Sequence, residues 1–244
     1  MERSGRNSSR ASRLHDSVVV SITQLNEPMH LLISLIAVGG IASHTRPDTI
    51  IAMPLRSAPV MDGRISEREY GDYPIRIQTG AGDARVWVAR HGGFIYIAAV
   101  LPDSTFYWGD DFVVSLDADG SADASPQPGD RQWYLRRTLD SSVAFAAVAG
   151  RWNIPGQQPP ALGATRHAPD WDVASASSPS GWSVELRVRD GVIPASGGAL
   201  PRLAFRTYND GPNGWWSWPE PPAGTPAQRV ERSPQLWMPV RRGP

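Results

Sequence analysis

From Ala58 onward, apolar residues recur at every second position rather than every third or fourth. This is the period of pleated strands, whose side chains alternate between two faces. In GWSVELRV, Trp182, Val184, Leu186 and Val188 fall on one face and Ser183, Glu185 and Arg187 on the other, as in an antiparallel strand with one solvated side. Glu185 beside Arg187 then reads as a member of a cross-strand ion pair. PIRIQ sets Ile75 and Ile77 on a common face, and ARVWVAR and GFIYIAAVL are β-rich runs joined by His91-Gly92-Gly93, a hairpin connection. The runs RQWYLRR, SVAFAAVAG, RLAFRTY and QLWMPV continue the series. No stretch sustains a helical period, although DGVIPASGG accommodates a single turn. Roughly ten short strands between Gly, Pro and Asp turns predict an all-β fold, a single-domain antiparallel β-sandwich of jelly-roll type.

One run has unusual ends. In YWGDDFVVSLDADG, residues 107–120, Phe112, Val114 and Leu116 alternate with Val113, Ser115 and Asp117. Tyr107, Trp108, Asp110 and Asp111 stand in front; Asp117, Asp119 and Gly120 follow. An indole beside carboxylates at a strand end either plugs the core or presents a flat platform to a sugar ring. Of the ten Trp, Trp87, Trp133 and Trp182 lie within strands and read as packing, whereas Trp108 and the group Trp215, Trp216 and Trp218 stand among Gly, Asp and Pro. Asp117, Asp119 and Asp123 supply hard oxygens in a tight loop and are a candidate calcium site, but lack the distal bidentate Glu of an EF-hand. Turn capping is the simpler reading.

Composition narrows the chemistry. All 24 basic residues are Arg and there is no Cys, which removes the lysine P-loop, the pyridoxal Schiff base, thiol nucleophiles, thiolate metal sites and disulfides. The formal net charge is +0 and the Arg residues are interspersed with acids, which argues against a nucleic-acid footprint. His91 and His167 are isolated, and no Gly-x-Ser-x-Gly elbow is present. These observations call for no cofactor and show no Ser-His-Asp or zinc arrangement, while the two carboxylates across a cleft that a glycosidase needs are left open by sequence spacing.

The amino end is a different kind of sequence. MHLLISLIAVGGIASHT begins at Met29, and its apolar run over residues 31–42 is too short to span a bilayer but fits the core of a secretory signal. Gly40, Ala42 and Ser43 supply small residues for cleavage. The expectation is a leader over residues 1–42, with translation starting at Met29, a linker over 43–57 and a sandwich over 58–240. The product would be secreted or periplasmic, with no membrane span after cleavage. Residues 152–171 form a long Pro-rich connection within the domain.

VMDGRISEREY, GFIYIAAVLPD, WGDDFVVSLD, and the late series GWSVELRV…VIP, LAFRTYND and WSWP occur in an order that resembles the family 9 carbohydrate-binding modules, within the wider DOMON-like sandwiches. The resemblance covers about residues 59–240. It implies a non-catalytic carbohydrate-binding module in which two Trp faces grip a sugar while amide, carboxylate and Arg groups fix its hydroxyls. Trp108 falls on the first aromatic position; Arg136, with Tyr134, lies near the family's Arg; Asn209 is a further polar contact. The chain departs from the pattern at Val114, where the family has a carboxylate, and at Thr207, where it has an amide. It also has no aromatic at residues 224–226, so Trp215, Trp216 or Trp218 would replace the second platform. A haem-binding DOMON-type electron-transfer domain is the alternative, with Met53, Met61, Met238, His44, His91 and His167 as the available axial ligands. A glycoside hydrolase-associated or interaction sandwich without a small ligand is a third.

Overall fold

The structure, a computed structural model, describes residues 48–138, 142–152, 170–192, 200–211 and 213–244. The expected leader and its apolar run lie outside them, as does most of the Pro-rich connection. Among the described residues, thirteen strands form two facing sheets. The first is built from β2 (Ile75–Thr79), β3 (Gly82–His91), β4 (Phe94–Pro102), β9 (Trp171–Ser178) and β10 (Gly181–Arg189), hydrogen-bonded in the order β2-β3-β4-β10-β9. The second orders β8 (Arg151–Trp152), β7 (Val143–Val148), β6 (Arg131–Arg136), β5 (Asp111–Asp117) and β11 (Arg202–Asn209). On the far edge of β11 sit β12 (Gly214–Trp218) and β13 (Met238–Arg242).

The residues predicted as linker contribute β1 (Ile50–Pro54), so the sandwich begins there and extends to Arg242. β1 pairs in parallel with β13 through Ile50–Ala52, then in parallel with β3 through Met53 and Pro54. One short strand thus joins the two sheets along one side, an exception to an otherwise antiparallel architecture. Periodicity could not reveal it, because IIAMP is too short to show alternation against its polar surroundings. The turn expected in DGVIPASGG is a 3-10 turn at Asp190–Val192.

The core lies between the sheets: Val86, Ile97 and Leu186 from the first meet Phe112, Leu116 and Phe205 from the second. The alternation predicted for β10 holds, with Trp182, Val184, Leu186 and Val188 all buried. The outer face is not solvated at its centre, however. Glu185 is completely buried and accepts hydrogen bonds from Gly63 N (2.6 Å), Asp62 N (3.1 Å) and Tyr70 Oη (2.7 Å). It pins the Asp62-Gly63 turn and the short helix α1 (Glu67–Tyr70) over a second apolar cluster containing Tyr70, Trp87 and Tyr96. Burial raises the Glu185 carboxyl above its ordinary range, opposed by these three donors. The cross-strand ion pair on this face is instead Arg187 to Asp172, at 3.3 Å.

The outer face of the second sheet is covered as well. A 3-10 segment, Ala227–Arg232, followed by the turn Pro234–Leu236, packs Val230 and Trp237 against Ala204, Ala147 and Trp152. Both sides of β5 are therefore buried. QLWMPV, read as one strand, is this turn, the wholly buried Trp237 and the start of β13.

Candidate functional site

At the end of the sandwich where β5 and β12 begin and β6 and β11 finish, the outer face of the second sheet opens. Cross-strand register sets one lateral row there, Arg136, Asp111, Tyr208 and Trp215. The next row contains Tyr134, Val113, Arg206 and Ser217. Residues directly opposite share a face of the sheet, so this parity decides which candidates can meet.

Asp111 is the hub. It is completely buried and accepts from Arg206 Nη1 (3.0 Å), Tyr208 N (3.2 Å) and Tyr134 Oη. Arg206 also donates from Nε to Glu231 at 2.6 Å, tying the 3-10 cover to the site. Burial pushes the Asp111 carboxyl up, against the pull of Arg206 and Tyr134. Burial would lower Arg206, but Asp111 and Glu231 overcome it and hold the guanidinium charged. Tyr134 is raised by burial and by Asp111. Asp110 faces the other way, also buried, and pairs with Arg137 at 3.0 Å while accepting from Asp210 N and Tyr107 N.

Around this hub aromatics and guanidinium groups alternate. Arg206 lies 4.4 Å from the Trp215 ring and 5.3 Å from Tyr134; Arg136 lies 4.6 Å from Tyr134 and 5.5 Å from Trp108. A second path between the two Trp is wholly aromatic, through Tyr107 and Tyr208, with centroid spacings of 5.3, 6.4 and 4.6 Å. Trp108 is 63% exposed and Trp215 38%. Phe106, 67% exposed, stands in the same loop with Arg137 4.9 Å from its ring. The remaining eight Trp are buried or pack against a core cluster.

The sequence-predicted residues divide accordingly. Trp108, Tyr134, Arg136 and Trp215 come together. Trp218 is buried and stacks on Phe205 at 6.0 Å, and Trp216 packs against the same core from the inner face of β12. Asn209 is completely buried, donating to Pro102 O at 3.1 Å and accepting from Thr207 Oγ1 at 3.3 Å, so it anchors the β4 end rather than facing outward. Val114 and Thr207, the two departures from the family pattern, are buried with no exposed surface. Sequence reasoning missed Arg206, Tyr208 and Glu231. The alternation in GWWSW was the usable signal, since as a strand it sends Trp215 and Ser217 to one face and Trp216 and Trp218 to the other.

In the acidic loop, the carboxylates of Asp117, Asp119 and Asp130 lie within 4.8 Å of one another. Asp123 is not in this group; it accepts from Ser121 Oγ at 2.7 Å. Asp117 caps the turn by accepting from the backbone N–H groups of Gly120, Ser121 and Ala122. Asp130 is raised to about 6 by burial and by the neighbouring carboxylates, against the Gln127 N–H. The sulfurs and imidazoles considered for haem are scattered. Met238 packs on the core, Met61 on the Tyr70 cluster and Met53 is exposed, while His91 Nδ1 donates to Leu55 O at 3.0 Å. His44 and His167 lie outside the described residues. Among the described residues no helix is long and apolar enough to cross a membrane.

A two-sheet sandwich with an exposed aromatic and guanidinium surface at one end has the fold of the family 9 carbohydrate-binding modules. Two solved structures of such a module from Caldicellulosiruptor kristjanssonii are similar to this chain. The complex with cellotriose aligns with a TM-score of 0.54 and 14% identity over 80% of this chain and 93% of that one. The complex with glucose gives 0.53 and 14% over 78% and 94%. No protein-family model and no curated protein matches the sequence.

Proposed function

We propose that this protein is a non-catalytic module that binds carbohydrate, a polysaccharide or oligosaccharide, on the surface bounded by Trp108 and Trp215. The observation that carries this reading is the exposure of these two indoles on one face, each backed by a fixed guanidinium group. Aromatic rings held this way offer apolar area to a sugar at little entropic cost. The similar structures hold cellotriose and glucose, which supports a sugar ligand in general. Absence of catalysis is supported by the state of the acids: Asp110 and Asp111 are both buried and paired with Arg, not disposed across a cleft as glycoside hydrolysis requires. The apolar run at residues 31–42 supports export, with cleavage near Ala42 and a secreted or periplasmic product. Amino-terminal sequencing of extracellular material checks this, and an intact chain retained in the cytoplasm refutes it. A glycan array probed with the full chain and with Trp108→Ala tests the binding reading. Signals on sugar spots that vanish in the variant support it; no signal on any glycan refutes it.

A further inference from the structure

Arg136 differs from the other guanidinium groups of the site. Arg137 is paired with Asp110, and Arg206 with Asp111 and Glu231. Arg136 is half-buried and forms no ion pair with a carboxylate among the described residues; its side chain donates from Nη1 to Gly109 O at 2.9 Å. Asp111, directly opposite on β5, cannot serve as its acceptor without giving up another donor. Oδ1 already takes Arg206 and Tyr208 N, and Oδ2 takes Tyr134 and, at 3.4 Å, Arg206. The two faces of a guanidinium can be covered by rings while its N–H groups point outward in plane. The Arg136 guanidinium carbon lies 5.5 Å from the Trp108 ring and 4.6 Å from the Tyr134 ring, which sets this cation beside an exposed indole.

We infer that the ligand is an anionic sugar, carrying a carboxylate or sulfate that Arg136 receives while the ring lies on Trp108. This rests on the carbohydrate-binding reading and specifies its substrate class. A partly desolvated cation whose one carboxylate neighbour, Asp111, is already engaged by Arg206, Tyr134 and Tyr208 N gains more from an anion than from a hydroxyl. A guanidinium close to the indole also opposes a second cation at the same ring, so amino sugars are disfavoured.

Calorimetric titration of the full chain with oligogalacturonate, its methyl ester, a sulfated glucan, cello-oligosaccharide and chitosan oligomers tests this. Oligogalacturonate or the sulfated glucan should bind about tenfold more tightly than its uncharged counterpart, an increment expected of one charge-assisted hydrogen bond, and this preference should shrink as salt rises. Which of the two wins identifies the anion. In Arg136→Gln the ratio of acidic to uncharged affinity should fall to about one, with Trp108→Ala losing both. If neutral sugars bind in a Trp108-dependent way as tightly as the acidic ones in the unmodified protein, anion selection is wrong and sugar binding stands. If no sugar binds, both fail. The methyl ester comparison needs no variant, so misfolding of Arg136→Gln leaves the test intact.

Discussion

Replacing Trp108 by Ala separates a binding platform from a core plug. The side chain is 63% exposed, so a little over a third of its surface is covered, mainly against Tyr107 and Arg136. An aromatic side chain of about 150–250 Å² then buries roughly 60–90 Å², which is worth about 1–2 kcal/mol once residual burial in the unfolded chain is allowed for. A wholly buried indole such as Trp237, stacked on Trp152 and donating to Val230 O, should cost about 3–5 kcal/mol when truncated. On the binding side, a sugar face covering on the order of 100 Å² of indole contributes ~2.5 kcal/mol, about 70-fold in Kd. Chemical denaturation of both variants, read by far-UV circular dichroism, gives the stability change. Affinity electrophoresis through polysaccharide gels gives the binding change. Trp108→Ala should lose retardation while its midpoint moves far less than that of Trp237→Ala. If Trp108→Ala is as destabilised as Trp237→Ala, or migrates like the unmodified protein in every gel, the platform reading is wrong.

Glu185→Ala should cost on the order of 4 kcal/mol, since it strands the Asp62 and Gly63 N–H groups and the Tyr70 hydroxyl; Glu185→Gln, which keeps an acceptor, should cost markedly less, and a melting temperature unchanged in the Ala variant would refute the anchor. Gly63→Ala should destabilise by at least about 2 kcal/mol, because φ there is +79° and a Cβ would stand 2.3 Å from the Ser175 carbonyl carbon; a midpoint within error of the unmodified protein would show that the turn relaxes freely. Asp130 carries a pH signature. Its carboxyl is raised from 3.8 to about 6, so between those values the folded state holds the proton more firmly and stability falls as pH rises. Asp130→Asn should flatten this slope by on the order of 2 kcal/mol between pH 4 and about 6, and identical melting curves for the two proteins across that range would refute the assignment.

The strand content was legible because the facing sheets impose a period of two on β3, β4, β5 and β10, and burial on one side enforces it. What stayed hidden depended on what covers the other side. Nothing local distinguishes a solvated Glu185 from one enclosed by a turn more than a hundred residues earlier. Asp111 and Arg206 read as ordinary polar positions until β5 and β11 are placed side by side and the Ala227–Arg232 segment is folded over them. Trp216 and Trp218 were grouped with Trp215 as one loop; pairing of β12 to β11 separates them by parity. The acidic loop was half legible. Asp117 and Asp119 stand two apart in sequence, but Asp130 reaches them only because the chain doubles back before β6.

The parallel pairing of β1 with β13 bears on how the domain responds to pulling. The chain enters at the start of β1 and leaves at the end of β13, so tension between these points draws the neighbouring strands lengthwise past each other. The hydrogen bonds linking Ile50, Ile51 and Ala52 to Val240, Arg241 and Arg242 are then loaded together in shear rather than opened in succession like a zipper. Beyond them, Met53 and Pro54 grip β3 in the same direction. Resistance to forced unfolding is governed by the barrier rather than by equilibrium stability. A tether between the two ends would therefore meet a mechanical clasp at the junction of the sheets, remote from the Trp108 surface and able to hold while that surface stays engaged.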